Sequence, residues 1–236
     1  MLFRSWAGVG HPFTAHALGR NLFSTSDSVG TFGNPNDPGD RKSGFDFSYR
    51  IPGLRKWLTV YSDMYSDDDP SPLANPRRAA VNPGFYISHF PGLHNLDLRA
   101  EFASTQLLTS HDFGPTFIYF NNDYHDSNTN KGFLFGNPIG RDAKAYQGWS
   151  TYHFSATSRL VLNFRQLKAS NVFFPGGGTQ TDGSVSFEWY ARPDLRVSTF
   201  VQAERWLIPI LSPTIQHDVA GQLELRYTPH WQVHHD

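Results

Sequence analysis

Leu96-Asp97-Leu98-Arg99-Ala100-Glu101-Phe102-Ala103 sets apolar residues at even positions and Asp97, Arg99 and Glu101 at odd ones. A helix, with its period of 3.6 residues, would scatter those charges around its axis. A period of two gathers them on one face of a strand and leaves the other face apolar. The same alternation recurs on both sides of this stretch. In 44–50, Phe45, Phe47 and Tyr49 oppose Asp46, Ser48 and Arg50. In 159–165, Leu160, Leu162 and Phe164 oppose Asn163 and Arg165, and in 184–192, Val185, Phe187 and Trp189 oppose Ser186, Glu188 and Tyr190. In 195–204, Leu195, Val197 and Val201 oppose Arg196, Ser198, Gln202 and Glu204. In 218–227, Val219, Leu223, Leu225 and Tyr227 oppose Gln222, Glu224 and Arg226. Stretches 57–65, 84–90, 117–124 and 143–155 alternate less regularly but are rich in strand-forming Trp, Tyr, Phe, Ile, Val and Thr. The chain therefore reads as all-β, with about ten strands.

The connections differ in length. Those at 51–56, 91–95, 156–158 and 193–194 are short, whereas 66–83, 169–182 and 207–216 are long and rich in Pro, Gly, Asp or Ser. Short turns alternating with long loops are the wiring of an antiparallel outer-membrane barrel, with the long loops outside the cell. One stretch breaks this pattern. An even number of strands must separate the short turns at 91–95 and 156–158, yet three are found, at 96–105, 117–124 and 143–155. An added short strand near 131–135 restores parity and raises the count to 10–11; alternatively, 125–142 is one loop folded into the lumen. By this division, 1–43 is a loop-rich segment with at most a partial strand, and 44–236 is an antiparallel transmembrane β-barrel portion.

Composition agrees. Gly 20, Pro 16, Phe 20, Tyr 10 and Trp 6 describe a turn-rich, aromatic-rich chain. Lys+Arg 20 against Asp+Glu 21 implies no polyanion-binding surface, so no nucleic-acid partner is expected. With Cys 0, neither a disulfide framework nor a thiolate metal site can form. No run reaches the roughly 18 apolar residues of a membrane helix, but lipid-facing and lumen-facing residues alternate in a barrel, which suits a mean hydropathy of −0.46. The first ten residues show no basic, apolar or cleavage region of an export signal, and the expectation is a chain truncated upstream.

Alternation alone favours a soluble β-sandwich, in which the apolar faces of two sheets meet. Three features favour the barrel: strand lengths near those that cross a bilayer, the turn wiring, and aromatic residues such as Trp57, Trp149, Tyr152, Trp189 and Trp206 placed where strands end. In a barrel the triplets Asp97-x-Arg99-x-Glu101 and Gln222-x-Glu224-x-Arg226 point into the lumen. Guanidinium, carboxylate and amide groups there can pair with vicinal sugar hydroxyls, while Tyr and Trp rings cover apolar sugar faces. The plainer alternative is that these charges pair with each other.

Catalytic signatures are weak. Asp97, Glu101, Glu188, Glu204 and Glu224 could supply the two carboxyl groups of a glycosidase, but nothing in the sequence selects a pair. The 11 His form no H-E-x-x-H motif, and no Gly-x-Ser-x-Gly occurs. Asp67-Asp68-Asp69-Pro70 and Asn121-Asn122-Asp123 with Asp126 offer oxygen ligands without the spacing of a calcium loop, and turn formation accounts for them. Gly176-Gly177-Gly178 lies between strands and reads as a flexible outer loop. No catalytic residue, metal or cofactor is expected.

Several ordered stretches resemble the Wzi-type capsule assembly proteins. They include Asn36-Asp37-Pro38-Gly39-Asp40-Arg41, Phe45-Asp46-Phe47-Ser48-Tyr49-Arg50 and Pro76-Arg77-Arg78-Ala79-Ala80. Later come Pro138-Ile139-Gly140-Arg141, Tyr146-Gln147-Gly148-Trp149-Ser150-Thr151-Tyr152, Arg192-Pro193-Asp194-Leu195 and Gln202-Ala203-Glu204-Arg205-Trp206. The resemblance is to the C-terminal half of these proteins. It implies a large outer-membrane barrel that acts as a lectin, holds capsular or exported polysaccharide at the cell surface and catalyses nothing. Its partners would be that polysaccharide, outer-membrane lipid and the missing N-terminal half of the same barrel. The expected polysaccharide contacts are Asp97, Arg99, Glu101, Arg141, Trp149, Glu188, Gln202, Glu204, Gln222, Glu224 and Arg226. A soluble or periplasmic carbohydrate-binding sandwich, and an outer-membrane porin or hydrolase, are the alternatives.

Overall fold

The computed structural model describes residues 2–5, 14–23, 42–67, 71–73, 75–108, 118–120, 128–131 and 133–229. Ten strands form one sheet: β1 (Leu2–Ser5), β2 (Lys42–Arg50), β3 (Leu58–Asp67), β4 (Ala79–Ile87), β5 (Leu96–Ser104), β8 (Ala143–His153), β9 (Arg159–Ala169), β10 (Gly178–Arg192), β11 (Leu195–Leu207) and β12 (Gln216–Tyr227). Between β5 and β8, the two-residue strands β6 (Thr129–Asn130) and β7 (Phe133–Leu134) make a separate hairpin. A short helix α1 (Ala15–Phe23) lies between β1 and β2, and a 3₁₀ turn (Pro76–Arg78) precedes β4.

Each strand of the sheet pairs antiparallel with its neighbour in that sequence. The sheet is open, with β1 and β12 at its edges and no ladder joining them among the described residues. Short turns close one end. At 51–54, Pro52 presets one turn position and Gly53 takes the positive φ of 86° that a type II turn demands, while Leu54 N–H donates to the Ile51 carbonyl at 3.0 Å. The long connections lie at the other end, as the sequence implies, but two are shorter than expected. Thr179, Gln180 and Thr181 continue the pairing of β10 with β9 back to Gly178, and Ala79 and Ala80 already belong to β4.

The parity problem resolves by subtraction. Only two strands of the sheet lie between the flanking short turns, because β5 pairs directly with β8. Residues 118–120 form a turn instead of part of the strand expected at 117–124, whose other residues lie outside those described. The strand proposed near 131–135 contributes only two residues to the small hairpin. Tyr119, Lys131 and Asp142 adopt φ of 63°, 51° and 49°, left-handed positions that interrupt extended chain. Among the described residues of this stretch, 137–139 lies over the polar face of the sheet, lining a cavity with Asn82, Glu101, Gln147 and Arg165.

Register fixes two unlike faces. Gln147, Arg165, Asp182, Glu204 and Asp218 stand in one row across β8 to β12. On the opposite face, Tyr152, Leu160, Phe187, Thr199 and Leu223 form another row. The apolar face is the exposed one: Phe47, Phe85, Leu162, Phe164 and Val201 are all exposed, and Val219 and Leu225 reach 78% and 67%. A water-soluble sheet buries that face. The most enclosed apolar packing sits on the polar side, where Ala80, Leu107 and Ile118 cluster with Tyr65 and Tyr119 beneath the long connection after β5.

Candidate functional site

On the polar face, cross-strand rows bring together residues that are far apart in the chain. Tyr61, Gly84 and Glu101 share one row across β3, β4 and β5. Gly84 has no side chain, so the Tyr61 ring crosses β4, and its hydroxyl donates to Glu101 Oε1 at 2.8 Å. Arg99 Nε donates to the Tyr61 hydroxyl at 2.8 Å, and its guanidinium forms an ion pair with Glu101. The same guanidinium lies 5.6 Å from the Tyr61 ring centre and 5.0 Å from that of Trp149, its register partner on β8. Asp97 pairs with His153 at 2.8 Å.

Two cavities adjoin this cluster. One of about 510 Å³ runs over β2 to β5, lined by Asp46, Tyr61, Asp63, Tyr86 and Arg99. The other, about 530 Å³, lies beneath the connection, lined by Tyr65, Tyr119, Asn82, Asn128 and Asn137. Asp46 and Asp63, directly opposed in the β2–β3 register, line both. The two cavities thus form one groove running from the long-loop rim along the polar face.

The connection is held in place by side chains. Thr105 Oγ1 donates to the Gly140 carbonyl at 2.8 Å and accepts from Ala143 N–H at 3.0 Å. The Tyr119 ring packs 5.4 Å from Tyr65, and its hydroxyl accepts from Asn137 N–H at 3.0 Å. Burial raises the Tyr119 phenol above its ordinary range, against the lowering effect of that hydrogen bond. Arg141 sits between Phe120 and Phe173, at 4.6 and 5.1 Å from the ring centres, and joins this connection to the one after β9. Burial lowers the Arg141 guanidinium. Beside it, burial raises the Asp142 carboxyl, with Ser170, Lys144 and Arg141 acting in the opposite direction.

A second cluster occupies the far part of the face. Glu188 accepts from Arg159 Nε at 2.8 Å and pairs with Arg196, while Glu224 pairs with Arg226 at 2.9 Å. Gln222 lines the same cavity, of about 210 Å³. Gln202 and Glu204 are elsewhere. Glu204 faces Asp218 near the long loops, whereas Arg226 faces Arg196 near the short turns. Eight positions along β11 separate Arg196 from Glu204, about 27 Å at strand rise. The expected contact residues thus divide among an Arg99 cluster with Asp97, Glu101 and Trp149, a Glu188 cluster with Gln222, Glu224 and Arg226, an isolated Gln202–Glu204 pair, and Arg141 at the rim.

Sequence reading missed Asp46, Tyr61, Asp63 and Tyr86. A signal was present in Thr59-x-Tyr61-x-Asp63-x-Tyr65-x-Asp67. Ser62 and Ser66 weaken the contrast by standing among the apolar positions of the same strand. Of the calcium-type ligands, Asp67 lies at the end of β3 and pairs with Lys42 at 3.7 Å, while Asp68, Asp69, Asn121, Asn122, Asp123 and Asp126 lie outside the described residues. Among the described residues, no three His, Asp or Glu gather as metal ligands.

Sheet and groove together define an antiparallel β-meander with an exposed apolar face and a charged, tyrosine-lined polar face. The family model described as "Capsule assembly protein Wzi" matches residues 2–220, and the chain belongs to that family. Membership assigns it to capsule assembly. No curated protein and no solved structure matches.

Proposed function

We propose that this sheet forms part of the wall of an outer-membrane β-barrel whose polar face holds capsular or exported polysaccharide, without catalysing a reaction. The observation that carries this reading is the inversion of the sheet: its apolar face is exposed, and its polar face is partly roofed by residues 137–139 of the connection after β5. In lipid that arrangement becomes favourable, because each exposed leucine or phenylalanine leaves water. β8 to β12, at 11 to 15 residues, are long enough to cross a bilayer at a tilt. The open edges at β1 and β12 leave backbone groups to be paired by further strands of the same barrel. Most carboxylates of the polar face are engaged with arginine, histidine, tyrosine or amide groups, an arrangement suited to display hydrogen-bonding groups to a polyol.

The test is capsule retention in cells expressing the full chain in its native context, compared with a Tyr61→Ala/Tyr86→Ala variant at equal outer-membrane abundance. The expected result is reduced cell-bound polysaccharide and increased released polysaccharide in the variant. Fractionation of the parent with soluble proteins would remove the membrane claim. Retention equal to that of the parent would move binding away from this groove.

A further inference from the structure

Resting on the reading of the sheet as an outer-membrane wall, we propose that the long-loop rim of its apolar face binds a phosphorylated glycolipid of the outer leaflet. The register confines the charges of that face to its two ends. Among the outward-facing residues of β5 and β8 to β12 there is no Asp or Glu. The cations are Arg192, beside the β10–β11 turn, and Lys144, Lys168 and Arg205 at the long-loop rim. Lys144 faces Lys168 directly across the β8–β9 ladder, and Arg205 faces the His217 imidazole across β11 and β12. Lys144 also acts on the carboxyl of Asp142, buried at the strand end. Lys168 and Arg205 are exposed and form no ion pair with any described residue. On the other face of β9 and β11 the arginines are paired, Arg165 with Asp182 and Arg196 with Glu188. Opposed like charges repel, and no carboxylate on the apolar face offsets the pair at 144 and 168. An anion laid over these rows does.

Depth and neighbours specify the occupant. Below the rim, alternate residues from Leu195 to Ala203, none of them charged, face outward along β11. They span about 27 Å of strand, or about 20 Å of height at a tilt near 40°. Hydrocarbon therefore ends close to where the cations begin, at the level of lipid headgroups. Ammonium and guanidinium groups grip phosphate oxygens there through charge-assisted hydrogen bonds. The groups between Lys168 and Arg205 are uncharged: Thr179 stands beside Lys168 in one row, and Gln166 and Thr181 share the next row with Arg205. Their amide and hydroxyls match sugar hydroxyls. Tyr146, 56% exposed in the row of Gln166, offers its ring to a sugar face. A phospholipid headgroup without sugar leaves these groups unused. A phosphorylated sugar that carries acyl chains engages the cations, the hydroxyls and the apolar band together.

The experiment uses the full chain purified in non-ionic detergent micelles. The probe is the phosphorylated, acylated glucosamine disaccharide that anchors lipopolysaccharide, compared with the same glycolipid after removal of its phosphates, with phosphatidylglycerol and with inorganic phosphate. The phosphorylated glycolipid is expected to bind at least about tenfold more tightly than its dephosphorylated form or phosphatidylglycerol. Excess inorganic phosphate should not displace it. Lys168→Gln/Arg205→Gln should weaken binding about 25-fold, a factor of about five for each cation. Arg192→Gln, on the same face at the other end, should leave it unchanged. Lys168→Arg/Arg205→Lys keeps both charges and should retain binding, which separates loss of charge from loss of fold. Equal binding of the two glycolipid forms by the parent, a result that needs no variant, would overturn the inference and leave the barrel reading standing. Equal binding of phosphatidylglycerol would overturn the choice of a sugar-bearing lipid, and displacement by inorganic phosphate would overturn the lipid source. An equal loss in Arg192→Gln would reduce the effect to net charge and overturn the site. Failure of the parent to insert into lipid vesicles would remove both readings.

Discussion

Gly84 occupies its position because of what lies above it. A Cβ there would fall 2.7 Å from the Tyr61 ring, so Gly84→Ala must push that ring off β4 and break its hydrogen bonds with Arg99 and Glu101. The expected loss is about 1–3 kcal/mol for two hydrogen bonds, one of them to a charged acceptor. Tyr61→Phe keeps the ring and removes only the hydroxyl, so it should cost less than Gly84→Ala. Thermal melting of both variants in micelles checks the order; a Gly84→Ala protein as stable as its parent would show that the ring does not lie across β4. Asp142 gives a pH-dependent prediction. Burial raises its folded-state carboxyl above the unfolded value, so protonation favours the folded connection. The associated stability is present below the ordinary carboxylate range and is lost as pH rises through the raised value. Protease resistance of the connection at Asp142 should therefore increase as pH falls from the raised value towards the ordinary carboxylate range. Asp142→Asn, which stays neutral and tolerates the left-handed φ, should remove this dependence and match the low-pH parent at pH 7. A variant that keeps the parental pH profile would assign the effect to another group.

Strands and connections differ in how much of their structure is local. Leu96 to Phe102 identifies itself as a strand because seven residues suffice to show period two, and the same holds for β9 to β12. The 105–142 connection is held by non-local contacts: Tyr119 packs on Tyr65, Arg141 lies on Phe173, and Thr105 is bonded to Gly140. Tyr and Phe there raise strand propensity without an alternating partner face, which is why a strand was expected at 117–124. The candidate site divides in the same way. Asp97, Arg99 and Glu101 were legible as one face of one strand, but the crossing of Tyr61 over Gly84 depends on the register of β3, β4 and β5, which no single segment encodes. Arg141→Ala tests the element as a unit. It removes the cation shared by Phe120 and Phe173 and should accelerate cleavage within the connection while leaving β8 to β12 protected against hydrogen exchange. Uniform loss of protection across the sheet would instead make the connection part of the sheet's own cooperative unit.

At the scale of the whole molecule, the unlike faces make the surroundings part of the stability. Leu223, 66% exposed on the apolar face, replaced by Arg should cost about 2–4 kcal/mol in a bilayer if it lies near mid-depth, and Gln222→Arg, on the opposite face, far less. Folding titrations in lipid vesicles measure both; equal costs would contradict the assignment of faces. Cysteines placed at 172 and 211, in the long connections, should label on intact cells with an impermeant reagent, and one placed at 194 should not. The reverse pattern would invert the orientation. The ladders have a further consequence under load. β9 and β10 are joined by eleven uninterrupted register pairs, and β11 and β12 by twelve. Tension applied at the long-loop rim, directed along the strands, is shared by all the hydrogen bonds of a ladder at once. Tension directed sideways opens them one after another. If the polar face holds a polymer as proposed, outward drag on that polymer pulls in the first direction, which the ladders resist as a shear joint does.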